Sequence, residues 1–144
     1  MKSVNNNIEQ SEIKLFIDQT PLLALYAYQK LGLPLEVWQV LFSVGFVYKG
    51  KLIGILVWTD YRYNHDVWWT IYTWDKHWCT KKVISTMFKI AREALGCIRV
   101  NVLTKTRNQK VNTFLTRLGF VKEGCLKKFF YPDQSDAYLW GIFL

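Results

Sequence analysis

Several large classes are excluded by what this chain has little of. Its three cysteines, Cys79, Cys97 and Cys125, are odd in number and lack metal-type or redox-type spacing, so they encode neither a disulfide framework nor a zinc module and read as free thiols of a reducing compartment. Three prolines and eight glycines in 144 residues leave no low-complexity linker. The longest apolar run, Leu52–Trp58, is far short of the ~20 residues of a membrane-spanning helix. The opening MKSVNNNIEQSE has no apolar core of the signal-peptide kind. The expectation is a soluble, cytoplasmic protein with no membrane partner. Acidic residues are almost missing from residues 76–128, where 13 Lys/Arg meet only Glu93 and Glu123. A field of that sign fits nucleic acid, a phosphorylated cofactor or an acidic protein, and charge alone does not choose among them.

What is present is a globular composition, 51% hydrophobic and 21% charged, with 7 Trp, 8 Tyr and 9 Phe. The length fits one domain. Ile13–Asp18 reads as a short strand or the approach to a helix. Thr20-Pro21 then supplies an N-cap and a first helical position for a helix near 21–31, stopped at Gly32. Leu35–Val40 reads as a second short helix, which makes residues 1–40 a variable helical entrance. Leu41–Tyr48 and Lys51–Asp60 are apolar, β-branched runs joined by Lys49-Gly50, a hairpin signal. Gly54 inside the second run points to a bulge or a close backbone approach. Val67–Trp74 is a further strand, with Trp68, Tyr72 and Trp74 on one face and Trp69 and Ile71 on the other. Ile84, Met87, Phe88, Ala91 and Leu95 recur at helical spacing up to Gly96, Cys97–Leu103 is a strand, and Val111, Phe114, Leu115 and Leu118 form a second helical stripe ending at Gly119. Phe120–Tyr131 and Ala137–Leu144 read as strands about a PDQSD turn. A helix between two strands makes 67–103 a parallel βαβ step.

Within that step the turn His77-Trp78-Cys79-Thr80-Lys81-Lys82 opens a helix. The first helical turn carries free N–H groups and partial positive charge, so lysines there are disfavoured by about 0.3–1 kcal/mol each. A bound phosphate would offset that repulsion, with Thr80 as cap. Lysines extending into water are the plainer alternative. Asp75-x-His77-x-Cys79 supplies three donor atoms of unspecific spacing, which is no metal site without a further ligand.

Arg107-Asn108, Asn112, Phe114, Arg117-Leu118-Gly119-Phe120 and Glu123-Gly124, followed by Asp136-Ala137-Tyr138-Leu139-Trp140, resemble the closing half of the GNAT N-acyltransferase superfamily. The likeness covers residues 41–144, the expected core, and Arg107–Gly124 is its most specific part. It implies an α+β fold with a mixed, mostly antiparallel sheet, one parallel βαβ step and helices on both faces. It also implies acyl-coenzyme A as cosubstrate, most simply acetyl-CoA, and transfer to an amine-bearing acceptor, whether small molecule, protein or modified nucleic acid. A homodimer would be in keeping. By the same resemblance, Ile71, Tyr72 and Thr73 would meet the pantetheine through their backbones. Cys79, Thr80, Lys81, Lys82, Val83 and Ile84 would meet the pyrophosphate, and Asn108 would lie near the cofactor arm. Two positions depart from the pattern: Cys79–Ile84 has none of the family's glycines, as in phage-type relatives with eroded turns, and Leu115 stands where many members carry a tyrosine acid. No metal is implied.

An enzyme of this kind needs a base for the acceptor ammonium, directly or through water. Asp60, His65, Asp66, Asp75 and His77 qualify by type, and Asp75 with His77 are the preferred catalytic pair because they follow the cofactor strand directly. A catalytically degenerate binding or structural protein, and a basic nucleic-acid-binding or nucleic-acid-modifying module, are the other two readings. The Trp68, Trp69, Tyr72, Trp74 and Trp78 group could stack bases, but strand alternation favours core and pocket wall.

Overall fold

The computed structural model describes residues 12–34 and 39–144. The expected short helix at 35–40 lies largely outside the described residues, and Val40 already belongs to a strand. In chain order the elements are β1 (Lys14–Asp18), α1 (Leu22–Leu31), β2 (Val40–Tyr48), β3 (Lys51–Arg62), β4 (Asp66–Thr73), α2 (Lys81–Lys89), β5 (Arg99–Lys105), α3 (Gln109–Leu118), β6 (Val121–Leu126) and β7 (Ala137–Phe143).

The strands form one sheet in the order β1-β2-β3-β4-β5-β7-β6, antiparallel throughout except for β4 beside β5. The α+β class, the single parallel step and helices on both faces are therefore as expected. Alternation along β3 sends Ile55 and Val57 to one side, where they meet Ala24, Ala27 and Tyr28 of α1. Leu56 and Trp58 go to the other, into the main core with Phe46, Trp69, Val83, Met87 and Leu115, under α2 and α3.

Local chemistry sets the boundaries. Lys49 (φ +50) and Gly50 (φ +76) make the two-residue hairpin turn in the left-handed conformation that matches strand twist. Gly54 sits beside a register shift and close to β4: a Cβ there would lie 2.6 Å from Thr73 Cγ2. Helix α1 starts one residue later than Thr20-Pro21 suggested. Asp18 is the residue that receives its opening donors, the N–H of Thr20 at 2.9 Å and of Leu23 at 3.0 Å. Asn108 accepts from Val111 N–H at the start of α3, and Gly119 (φ +100) ends it. The helix opened by α2 runs on through a π-helical turn, Ile90–Ala94. The strand expected over Phe120–Tyr131 stops at Leu126. There the Asp136 carboxylate accepts from Lys128 N–H at 2.8 Å and draws the chain into a turn, so residues 127–136 form an irregular connector.

Candidate functional site

The parallel pairing of β4 and β5 covers only Asp66↔Arg99 to Trp69↔Val102. Beyond Trp69, β4 continues on β3 alone, and beyond Val102, β5 continues on β7 alone. The two strands thus splay from a common apex. The register also fixes which backbone groups face the gap. Trp74 N–H bonds Ile53 O at 3.1 Å, so Tyr72 and Thr70, alternate with it, turn to β3. Ile71 and Thr73 turn their N–H and C=O towards the space that β5 has left.

On the α1 face of the sheet this splay opens into a cavity of about 410 Å³, walled by Trp68, Trp69 and Thr70 of β4, Leu103 of β5, Tyr28 of α1 and Phe129–Tyr131 of the connector. Asp60 reaches it through an irregularity. The β3–β4 register slips between Thr59 and Arg62, and Asp60 takes φ +51 with its N–H on Gln39 O at 3.0 Å. Such a bulge re-aims a side chain that regular alternation would place elsewhere. Burial pushes the Tyr28 hydroxyl up, and the Asp60 carboxylate adds to the effect against a hydrogen bond with Thr70. On the helix face the same region is nearly closed. An apolar gap of about 10 Å³ remains among Trp69, Ile71, Trp78, Ile84, Phe114 and their neighbours. Trp78 fills it, stacked on Phe46 at 5.0 Å and edge-on to Phe114 at 5.2 Å. At the apex, Trp69 Nε1 is buried with no partner among the described residues.

The basic turn is built as a helix start. Thr80 Oγ1 accepts from Val83 N–H at 3.1 Å and Thr80 O from Ile84 N–H at 3.0 Å. The N–H groups of Lys81 and Lys82 are left as the outward donors of the first turn. Both lysine side chains are exposed, and Lys82 Nζ lies 3.8 Å from Glu12 Oε1 across a recess of about 250 Å³. Val83 is buried in the core, Ile84 lines the narrow gap, and Cys79 is an exposed free thiol that partial burial pushes up, away from thiolate. Asn108 is occupied as the cap of α3.

The other titratable candidates separate. Asp75 Oδ1 meets His77 Nδ1 at 2.6 Å and caps the short turn 76–78, and the His77 ring stacks on Tyr48 at 4.5 Å. That seat is at the β2–β3 hairpin, and neither residue lines the large cavity. Asp66 is buried at the far end of β4, held by Arg62 (2.6 and 2.8 Å) and Asn101 (2.9 Å). The Arg62 hydrogen bonds hold its carboxyl below the usual range against burial, with Asn101 helping. His65 sits in the β3–β4 turn beside it, its carbonyl accepting from Ile98. Of the five, Asp60 is the one brought to the cavity. Nothing in the sequence marks Phe129–Tyr131 as cavity wall, since they look like strand. Among the described residues no group of three or more His, Cys, Asp or Glu gathers to hold a metal, and no helix is long and apolar enough to cross a membrane.

No protein-family model matches the chain. An uncharacterized N-acetyltransferase of Bacillus subtilis, YoaA, is 31% identical over 72 residues, which cover 46% of this chain and 41% of that relative. This chain thus spans well under half of that curated relative's length. Similar solved structures include a ribosomal-protein-S5-alanine acetyltransferase from Vibrio fischeri (TM-score 0.62, 24% identity, 85% of this chain and 68% of that one). A GNAT-family acetyltransferase from Streptococcus pneumoniae gives 0.65 at 20% identity over 91% of this chain and all of that one. The spermidine/spermine N-acetyltransferase SpeG from Vibrio cholerae gives 0.68 at 15% identity over 93% and 94%. At these identities the likeness is one of fold.

Proposed function

We propose, from its GNAT acetyltransferase fold, that this chain is a single acyltransferase domain that moves an acyl group, most simply acetyl, from acyl-coenzyme A to an amine. The observation that carries the reading is the coincidence of three things at the β4–β5 apex. The strands splay there, the backbone groups of Ile71 and Thr73 are released from the sheet there, and a cavity of about 410 Å³ opens there. The residues fit the cosubstrate: Ile71 and Thr73 present backbone groups that no strand of the sheet takes up, and the first turn of α2 offers N–H groups flanked by two lysines. Bound acyl-coenzyme A would supply an activated thioester. Lys81, Lys82 and the Thr80-capped turn would hold its phosphates, with charge doing what the missing glycines do by close backbone approach. Ile71 and Thr73 would align the arm, and their N–H groups would meet developing negative charge.

Asp60 holds the acceptor's ammonium on the opposite wall and passes its proton to solvent at the cavity mouth. Asp75 and His77 fix the turn that leads into α2. Leu115 is fully buried and brings no acid to the position where family members carry a tyrosine. The small acceptors of the spermidine acetyltransferases make a small amine the simplest expectation. The reaction is read directly as free thiol released from acetyl-coenzyme A over a panel of amines. Release is expected with the unaltered chain and at least about tenfold less with Asp60→Ala.

A second reading is favoured by the narrow apolar gap that Trp78 fills on the helix face. A fold kept as a binding module would show this filling, and would neither bind acetyl-coenzyme A nor release thiol with any amine.

A further inference from the structure

The cavity wall combines two chemistries. Six aromatic residues line it, Tyr28, Trp68, Trp69, Phe129, Phe130 and Tyr131, and the one formal charge among its described lining residues is Asp60. The bulge that brings the exposed Asp60 to the cavity rim is specific to that position, since the flanking Thr59 keeps its regular pairing with Trp68. Two cations beside the connector wall are engaged with a carboxylate. Lys105 Nζ bonds Asp133 at 2.8 Å while lying over the Phe130 ring at 5.7 Å, and Arg107 shares the same carboxylate at 3.1 Å. A chain of net charge +8 therefore presents, at this one recess, a carboxylate among ring faces.

We infer that the acceptor is a primary amine carrying one positive charge close to an aromatic or bulky aliphatic body, its ammonium on Asp60 and its body among the rings. The inference rests on reading this cavity as the acceptor site. A carboxylate and the negative faces of aromatic rings both favour an ammonium over a neutral or anionic group. The apolar wall rewards a body that leaves water, which a simple alkylammonium chain studded with charges does not supply. A polyamine brings several charges to a wall whose described residues hold one carboxylate, and a phosphorylated acceptor brings anions to Asp60. The same chemistry is offered by a free arylalkylamine and by the N-terminal ammonium of a peptide that begins with an aromatic residue.

The test needs no acyl donor. The full chain is titrated calorimetrically with tyramine, with its neutral counterpart in which a hydroxyl replaces the amine, with the peptide Phe-Gly-Gly amide, and with spermidine. Tyramine or the peptide is expected to bind at least about tenfold more tightly than the neutral counterpart, the margin of a charge-assisted hydrogen bond. Asp60→Asn, an exchange that the left-handed backbone tolerates, should remove that margin and leave the neutral compound's affinity unchanged. Trp68→Ala should weaken amine and neutral compound alike. Preference for tyramine marks a free amine as the source and preference for the peptide a chain terminus, and either supports the inference. Equal binding of charged and neutral compounds, tighter binding of spermidine, or indifference to Asp60→Asn would overturn it. A chain that binds the amine but not acetyl-coenzyme A refutes acyl transfer alone, and one that binds acetyl-coenzyme A but not the amine refutes this inference alone.

Discussion

Replacing Asp66 by Ala should destabilise the protein strongly while leaving the candidate site untouched. The carboxylate is 3% exposed and accepts from Arg62 Nε (2.6 Å), Arg62 Nη2 (2.8 Å) and Asn101 Nδ2 (2.9 Å). Arg99 extends the chain of contacts from Asn101 to Glu123, so the network ties the β3–β4 turn to β5 and β6. Arg62 itself is 67% exposed and can turn to water, so its share is that of a surface pair, about 0–1 kcal/mol. Asn101 is buried, and an amide left without its acceptor costs about 1–3 kcal/mol. The sum, about 1–4 kcal/mol, corresponds to a fall in Tm of roughly 3–12 °C for a chain of this length. Scanning calorimetry reads it. The sign of the pH dependence follows from the lowered folded-state pKa. The carboxylate's contribution is complete above the unfolded value near 3.9 and is lost as pH falls through the lower folded value, so wild type and variant should converge in acid. A Tm change under about 2 °C at neutral pH, or a gap that widens in acid, would refute the reasoning. The network lies at the paired end of β4, away from the splay, so acetyl-coenzyme A affinity of the folded variant should stay within about twofold.

Other perturbations separate stability from binding. Gly54→Val forces a side chain against Thr73, whose β-branched side chain has little room to yield, so a loss of about 1–3 kcal/mol should come with weaker acetyl-coenzyme A binding, read by denaturation and titration of one sample. Thr80→Ala removes the acceptor of Val83 N–H and should cost about 0.5–2 kcal/mol in chemical denaturation. Reversing Lys81 and Lys82 to Glu should hold or raise Tm by a few degrees, since both are exposed and the first helical turn favours acids, yet weaken acetyl-coenzyme A binding on the order of tenfold, with a smaller penalty at high salt.

The order of strands and helices was legible because each boundary carries local chemistry. Lys49-Gly50 can only turn, Gly119 can only end a helix, and Thr80 and Asn108 cap where their types predict. Gly54 also announced both the register shift and the close approach to β4. What escaped the sequence depends on register and on long-range partners. Asp60 reads as the last residue of an apolar strand, and only the bulge before Arg62 delivers it to the cavity. Phe129–Tyr131 read as strand because they are aromatic, but Asp136, ten residues beyond the end of β6, draws the connector into a turn first. His77 is adjacent in sequence to the splayed strand, and the single turn 76–78 carries it onto Tyr48 instead. Proximity along the chain overstated its proximity in space.

The claim that the splayed β4–β5 apex and the glycine-free turn still form an acyl-coenzyme A site is tested most directly by calorimetric titration of the full chain with acetyl-coenzyme A. Saturable one-site binding, with heat that disappears at the same concentrations in the Lys81→Glu/Lys82→Glu variant, is the predicted result. No heat at millimolar acetyl-coenzyme A, or binding indifferent to both lysines, would contradict it.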